Sequence, residues 1–555
     1  MTWYDVNCII VAMRAKKTPR VHLEIQKYGK TYTGLIRTTF REGDKIKHTT
    51  HGRIKDKSYE ELKLLQAAFR GDAIIKSSQG AYKITESKEY GASYAALQLA
   101  KELQLDKAIY SKPTEQWVKD CLAMIVGRLI YSGSKLSLSH RWKDTALWEL
   151  CGVQGEVDVD NHCYEAMDKL LQRQRAIQDT LARRHLRNGA LVLYDITSSY
   201  FEGQYEDSDI VAFGYNRDGK RGHEQMVIGL LCSSEGCPVA LEVFPGNTQD
   251  AATVVNKIAE LQKTYGIQEI IFVGDRGMVT RANYEKVKDI EGLSTISALT
   301  HRQIVELLNR KVIQVDMFDE KHIVEVIDPD NTGQRYCLCR NPKSAERETR
   351  TRKALLDVTR TALEKISQSK RKGTPEAIGK RVGKAFAKTK MEKFVQWEVR
   401  DGRLHWSFKE DKISAEKLLD GCYIINTDVP AELMDKQEIV ASYKKLALVE
   451  QAFRNLKTVQ LEVRPVYHKT DDRIRCHVFL CMLAYYIQWH MNQRLKPLFQ
   501  SDGKNKYRRW TFENVIERLK SVRREIMTVE GTSCKVVCTP DEEQKRILEL
   551  LKVKL

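Results

Sequence analysis

The run Ala190–Phe201, ALVLYDITSSYF, is a string of β-forming residues interrupted by one carboxylate, Asp195. A strand this apolar reads as buried. A carboxylate buried in such a strand is rare unless it is paired or bound to a cation, although a strand-end Asp also serves as a structural cap. The pattern returns in QEIIFVGDRG, where a second apolar strand ends on Asp275 and is followed by Arg276 and Gly277.

Between the two acids lie MVIGLLCSS and CPVALEVFPGN, joined by a Glu235-Gly236 turn, and a predicted helix over Asp250–Tyr265. A further helix (Arg281–Ile290) and strand (Leu293–Ala298) follow. Three antiparallel strands, then a helix and a parallel strand, is the order of a ribonuclease-H-like core. A chain of 555 residues is too long for one compact core, so the rest must form additional bodies. The expected fold class is α/β: a ribonuclease-H-like mixed sheet interrupted by a β-rich, basic insertion and preceded by a small β-meander and an α-helical domain. Shifts in periodicity divide the chain into 1–57 (meander), 58–188 (helical, a candidate DNA-binding domain), 189–299 (core), 300–420 (insertion), 421–495 (core again) and 496–555 (basic tail, a DNA or dimer contact).

A third acid stands on YKKLALVEQAFRNLK, Tyr443–Lys457. At 100° per residue, Tyr443, Glu450 and Lys457 fall within about 40° of one another, beside an apolar stripe of Leu446, Val449, Phe453 and Leu456. No proline interrupts the stretch, so one continuous helix is expected, and alone it reads as an ordinary amphipathic surface helix.

The net charge of +18 favours a polyanionic partner. Ser344–Lys393 holds 15 Lys+Arg against 6 Asp+Glu, half of that surplus, on a predicted charged helix (Ser344–Ser369) and a lysine-rich segment. Either a solvated face or a phosphate-tracking surface fits it. The start of the chain lacks the order of a secretory signal, and the most apolar later run, Val478–Trp489, is short of the ~20 residues a membrane span needs. A cytoplasmic protein with no membrane partner is expected. Thirteen scattered cysteines contain no C-x2-C pair of the kind that binds zinc, and reduced packing thiols are expected.

With the acids in view, the chain resembles bacterial insertion-sequence transposases of the DDE type, in the branch with a Tyr-Arg-Glu-Lys signature around the third acid. The matching text is YDITSSYFEG (Tyr194–Gly203), GYNRDGKRGHEQMVIGL, GNTQDAAT, VGDRGMVT (Val273–Thr280) and YKKLALVEQAFRNLK. The resemblance implies a catalytic triad of Asp195, Asp275 and Glu450 holding two Mg²⁺ ions, with Mn²⁺ as a substitute. It implies DNA contacts by Tyr443 and Lys457, and by Arg454 in place of the signature arginine, whose position is Leu446. Arg276, Arg217, Lys220 and Arg221 would position phosphates. Trp397 and Trp406, on the predicted hairpin FVQWEVRDGRLHWSF, are either base-stacking or core residues. The implied activity is cleavage and joining of double-stranded DNA at terminal inverted repeats and target sites, by a homodimer associated with the bacterial nucleoid. An inactive DNA-binding relative and a nuclease that hydrolyses without joining are the alternatives.

Overall fold

The computed structural model describes residues 21–29, 31–42, 45–70, 83–215, 222–248, 269–276, 291–369, 371–459, 461–501, 510–529 and 532–555. The helices expected at Asp250–Tyr265 and Arg281–Ile290 lie outside these residues. The chain forms two compact units, Met1–Glu86 with Glu525–Val536, and Ser87–Arg524 with Val537–Leu555.

In the smaller unit, β1 (Val21–Tyr28), β2 (Thr31–Glu42) and β3 (Lys45–Ile54) form an antiparallel sheet, and α1 (Tyr59–Arg70) follows. Leu23, flanked by His22 and Glu24, is buried together with Leu35 and with Leu62 of α1. Gly34 makes room for that contact, since a Cβ there would meet Leu62 Cδ2 at 2.9 Å. A second sheet has the order β16-β15-β4, from Lys83–Glu89 (β4), Arg523–Val529 (β15) and Thr532–Val537 (β16). The tail segment 496–555 thus contributes strands as well as helices.

In the larger unit, α2 (Gly91–Glu102), α3 (Gln116–Ile130) and α4 (Glu165–His185) precede the sheet. The sheet begins with β5 (Ala190–Tyr200), β6 (Gln225–Ser233), β7 (Pro238–Pro245), β8 (Ile270–Gly274) and β9 (Leu293–Ala298). After α5 (His301–Asn309) come β10 (Val324–Asp328) and β11 (Asn331–Arg340). Next are α6 (Pro342–Ser367), α7 (Pro375–Thr389), the hairpin β12 (Val395–Arg400) and β13 (Arg403–Phe408), and β14 (Cys422–Thr427). α8 (Lys436–Lys444), α9 (Leu446–Arg454), α10 (Asp471–Ser501), α11 (Phe512–Lys520) and α12 (Glu542–Leu551) complete it.

Eight strands make one sheet in the order β10-β11-β14-β9-β8-β5-β6-β7. β5, β8 and β9 run parallel, while β6 and β7 add antiparallel on one side and β14, β11 and β10 on the other. The first five strands thus lie in the order expected of a ribonuclease-H-like core. All nine residues of β6 are buried, as its unbroken apolar text requires. The long α10 packs on α3, α4 and β7, and Val478–Ile487 is buried throughout. This accounts for the apolar run Val478–Trp489 as core. Among the described residues no single helix is long and apolar enough to cross a membrane.

Two expectations change. The stretch 300–420 is not a separate β-rich body, because β10 and β11 hydrogen-bond into the main sheet through β14. What leaves the sheet is a mostly helical excursion between Arg340 and Cys422, two residues paired across β11 and β14. Its neck is closed by Asn341 N–H donating to the Gly421 carbonyl at 2.8 Å. Gly421 has φ +73°, and a Cβ there would sit 2.4 Å from the Asn341 carbonyl oxygen, so only glycine fits. Inside the excursion α6, α7 and the β12–β13 hairpin share their own apolar cluster of Leu363, Ile366, Ile378, Val382, Phe386, Val395 and Leu404. The second change is in the helix carrying Glu450. Tyr443–Lys457 is α8, a tight joint at Lys445, α9, and a π-helical turn over Asn455–Val459. At the joint the N–H groups of Lys445 and Leu448 donate to the carbonyls of Ser442 and Lys445, three residues back, which overwinds the chain.

Candidate active site

Residues Leu191–Leu193 of β5 pair in parallel register with Ile271–Val273 of β8, and the last pair is Tyr194 with Gly274. The next residue in each case is an acid, Asp195 on β5 and Asp275 just past the end of β8, so the two follow adjacent strand positions, which are spaced about 4.8 Å apart. Tyr194 points to the opposite face, fully buried, with its ring 5.7 Å from that of Phe272. Gly229 of β6 leaves it space, since a Cβ there would meet the Tyr194 hydroxyl at 2.4 Å. The strand is thus anchored by a phenol on one face while its next side chain, Asp195, projects from the other. Asp195 is half-buried, and its Oδ1 accepts the N–H of Ile196 at 2.7 Å. Asp275 and Arg276 are exposed.

The third acid arrives from another part of the chain. α9 packs on β5 and β6 with Val449, Ala452 and Phe453 buried and Glu450 exposed. Tyr443, at the end of α8, donates its hydroxyl to Asp275 Oδ1 at 3.2 Å. Burial raises the Tyr443 pKa most, followed by the Asp275 charge; Glu450 adds to the rise and Arg276 opposes it. Asp275, Arg276 and Glu450 therefore all act on one half-buried phenol, and Asp195 is tied to this group only through the register of β5 with β8. They do not form a closed single-ion cage. Among the described residues the group of three ligand-type side chains with all donor atoms within 4.8 Å is His185, Cys237 and His490, away from the acids in sequence and chemistry.

The other expected site residues divide. Lys457 is half-buried on the π-helical turn and Arg454 is exposed at the end of α9. Leu446, at the signature's arginine position, is 6% exposed and belongs to the core, which is why no cation stands there. Trp397 and Trp406 face each other across the hairpin on the side turned to α6 and α7. Trp406 packs edge-on against Phe408, and Trp397, 39% exposed, lies near Gly379 of α7. Arg217, Lys220 and Arg221 lie outside the described residues. His223 is placed with Nδ1 3.3 Å from the Phe201 carbonyl. Sequence reasoning passed over two cations: Arg464 lies 4.5 Å from the Tyr200 ring and Lys469 4.2 Å from that of Tyr205, at the exit of β5. Contacts across more than 260 residues leave no spacing signal.

Residues 191–487 match the family described as the transposase DDE domain. That span is more than half of the chain and includes both acid-bearing strands and the Glu450 helix. The chain belongs to the transposase DDE domain family. No curated protein matches it. Among solved structures it is similar to a cryo-electron-microscopy structure of a piggyBac transposase synaptic complex with hairpin DNA, at 9% identity and a TM-score of 0.36. The likeness covers 80% of this chain and 82% of that one, an overlap too loose to say anything of function. DDE transposases are strand-cutting and strand-joining enzymes, and in this chain Asp195 and Asp275 stand on and just past two adjacent central strands of the sheet.

Proposed function

We propose that this chain is a divalent-metal-dependent transposase of the insertion-sequence type with the Tyr-Arg-Glu-Lys signature, and that Asp195, Asp275 and Glu450 are its catalytic acids. The observation that carries the proposal is the register of β5 and β8, which brings two acids together while Tyr443 links Asp275 electrostatically to Glu450. The donor set is entirely carboxylate oxygen, the ligand type of hard cations such as Mg²⁺ or Mn²⁺. Oxygens spread wider than one ion's shell suit two ions about 3.5–4 Å apart. When bound, such ions would offset the charge of a phosphodiester and ease ionisation of the attacking hydroxyl.

The chain's own groups supply the rest. Tyr443 fixes the rotamer of Asp275 through its hydrogen bond. Arg276, Arg454 and Lys457 offset backbone phosphates. In cleavage, water oxygen forms a bond to phosphorus and the bond to the 3′ oxygen breaks, leaving a 3′-hydroxyl and a 5′-phosphate. In joining, that 3′-hydroxyl attacks a target phosphodiester, so one phosphodiester forms as another breaks and a target 3′-hydroxyl departs. The substrates are the element's terminal inverted repeats and target DNA, held by a homodimer in a cut-and-paste reaction.

The decisive experiment uses terminal-repeat DNA with Mg²⁺. Wild-type protein nicks and then joins it, while Glu450→Gln binds equally but nicks at least about 10²-fold more slowly, as when a preorganised electrostatic group is removed. Nicking by Glu450→Gln at the wild-type rate would remove Glu450 from the site. Binding without nicking under any divalent ion would make the protein an inactive relative, and hydrolysis without joining would make it a nuclease.

A further inference from the structure

Far from the three acids in sequence, His185 at the end of α4, Cys237 after the β6–β7 turn and His490 on α10 bring their donor atoms within 4.8 Å of one another. We propose that these three side chains bind one zinc ion, which ties the end of α4, the β6–β7 turn and α10 together. Two imidazoles and one thiolate are a zinc donor set, three protein ligands with a fourth position left for water or a carboxylate. Donor atoms of a tetrahedral zinc site lie about 3.5 Å apart, so the three need to contract by little more than 1 Å.

Cys237 is 1% exposed. Among the described residues His490 Nε2 is buried and has no hydrogen-bond partner, an unfavourable arrangement that a bound cation would relieve. His185 Nε2 is 2.9 Å from the Tyr486 hydroxyl, which leaves Nδ1 to ligate. A metal-bound imidazole ordinarily has such an outer partner on its second nitrogen. Burial lowers the pKa of both imidazoles, His490 to about 4. Burial raises the Cys237 pKa, which opposes ionisation, so zinc binding would have to release the thiol proton to solvent. Water would fill the fourth position.

The site has a structural consequence within the same unit. The turn that carries Cys237 abuts α9, because Gly236 lies directly against Leu448, two residues from Glu450. A zinc ion there would brace the support of the Glu450 helix, whether or not Glu450 is catalytic.

The test uses full-length protein stripped with a chelator and kept in excess Mg²⁺, so that hard oxygen sites are occupied. Titration calorimetry with zinc sulfate should give one ion per chain, and Co²⁺ should give tetrahedral visible bands with a thiolate charge-transfer band in the near ultraviolet. Cys237→Ser should abolish the charge-transfer band and weaken zinc binding by more than about 10²-fold, beyond the loss typical of an outer partner. The exposed Cys534→Ser should change neither. If Cys237→Ser does not fold, His490→Gln serves, with the same weakening of zinc expected. No zinc uptake and no thiolate band in the wild type, or unchanged zinc affinity in the folded variants, would overturn the proposal.

Discussion

Replacing Gly236 by alanine tests how tightly the Glu450 helix is held. Gly236 has φ +82°, and a Cβ there would lie 2.8 Å from Leu448 Cβ, an atom attached directly to the α9 backbone. The left-handed backbone costs a non-glycine residue about 1–2 kcal/mol. Carbon atoms rest at about 3.5–4.0 Å, so α9 must retreat by about 1 Å, an overpacking cost of about 1–3 kcal/mol. Together Gly236→Ala should destabilise the protein by about 2–5 kcal/mol. The displaced element carries Glu450 two residues further on, and a 1 Å misplacement of a catalytic group costs on the order of 10²-fold in rate. Urea unfolding should show a lower midpoint at unchanged slope, and nicking of terminal-repeat DNA should fall by about 10²-fold in protein that is still folded. Gly333→Ala is the control: Gly333 lies on a strand of the main sheet, nothing among the described residues lies within 4 Å of its absent Cβ, and both measurements should stay near wild type. A Gly236→Ala protein with wild-type midpoint and nicking rate would refute the argument from close packing.

Three further perturbations have signs set by the structure. Lys457→Ala should weaken binding to terminal-repeat DNA and reduce the log–log salt slope by about one, and an unchanged slope would remove Lys457 from the phosphate contacts. Leu446→Arg, which restores the signature residue, should lower stability by about 3–5 kcal/mol because the position is 6% exposed; tighter DNA binding at unchanged stability would show that the side chain escapes the core. Asp120, 3% exposed on α3, has a carboxyl raised from 3.8 to about 6 by burial, against the hydrogen bond from Gln116 that lowers it. The folded state therefore holds this proton longer than the unfolded chain, and the group's contribution to stability falls as pH rises from about 4 to 6. Asp120→Asn should gain about 2 kcal/mol over wild type in urea melts at pH 7 and little at pH 4, and an equal gain at both would refute the assignment.

The acid-bearing strands were legible because each is a local event: an apolar run stopped by one carboxylate needs no distant partner to be noticed. The same holds for the Glu235-Gly236 turn and for α6, expected at Ser344–Ser369 and found at Pro342–Ser367. The break at Lys445 was not legible, since neither proline nor glycine marks it and the apolar stripe continues through it. The union of β10, β11 and β14 with the core sheet depends on pairings such as Ile425 with Ala298, more than 120 residues apart, which leave no periodic trace. Leu446 conflicted with the signature in the text, and only its burial shows that the position has passed from surface to interior. The His185, Cys237 and His490 group was invisible for the reason that makes zinc motifs visible elsewhere: its members are not neighbours in the chain.

The paired residues at the neck of the helical excursion carry a lesson for evolution and for engineering. A segment that leaves and re-enters a sheet at facing positions adds no span for the scaffold to bridge, so its length and content can vary while the strands beneath keep their partners. Because the excursion also has an apolar cluster of its own, exchange for another module, or for a short hairpin, should spare the ladder between β11 and β14. Variation in the excursion can therefore accumulate while the sheet it leaves keeps its pairing.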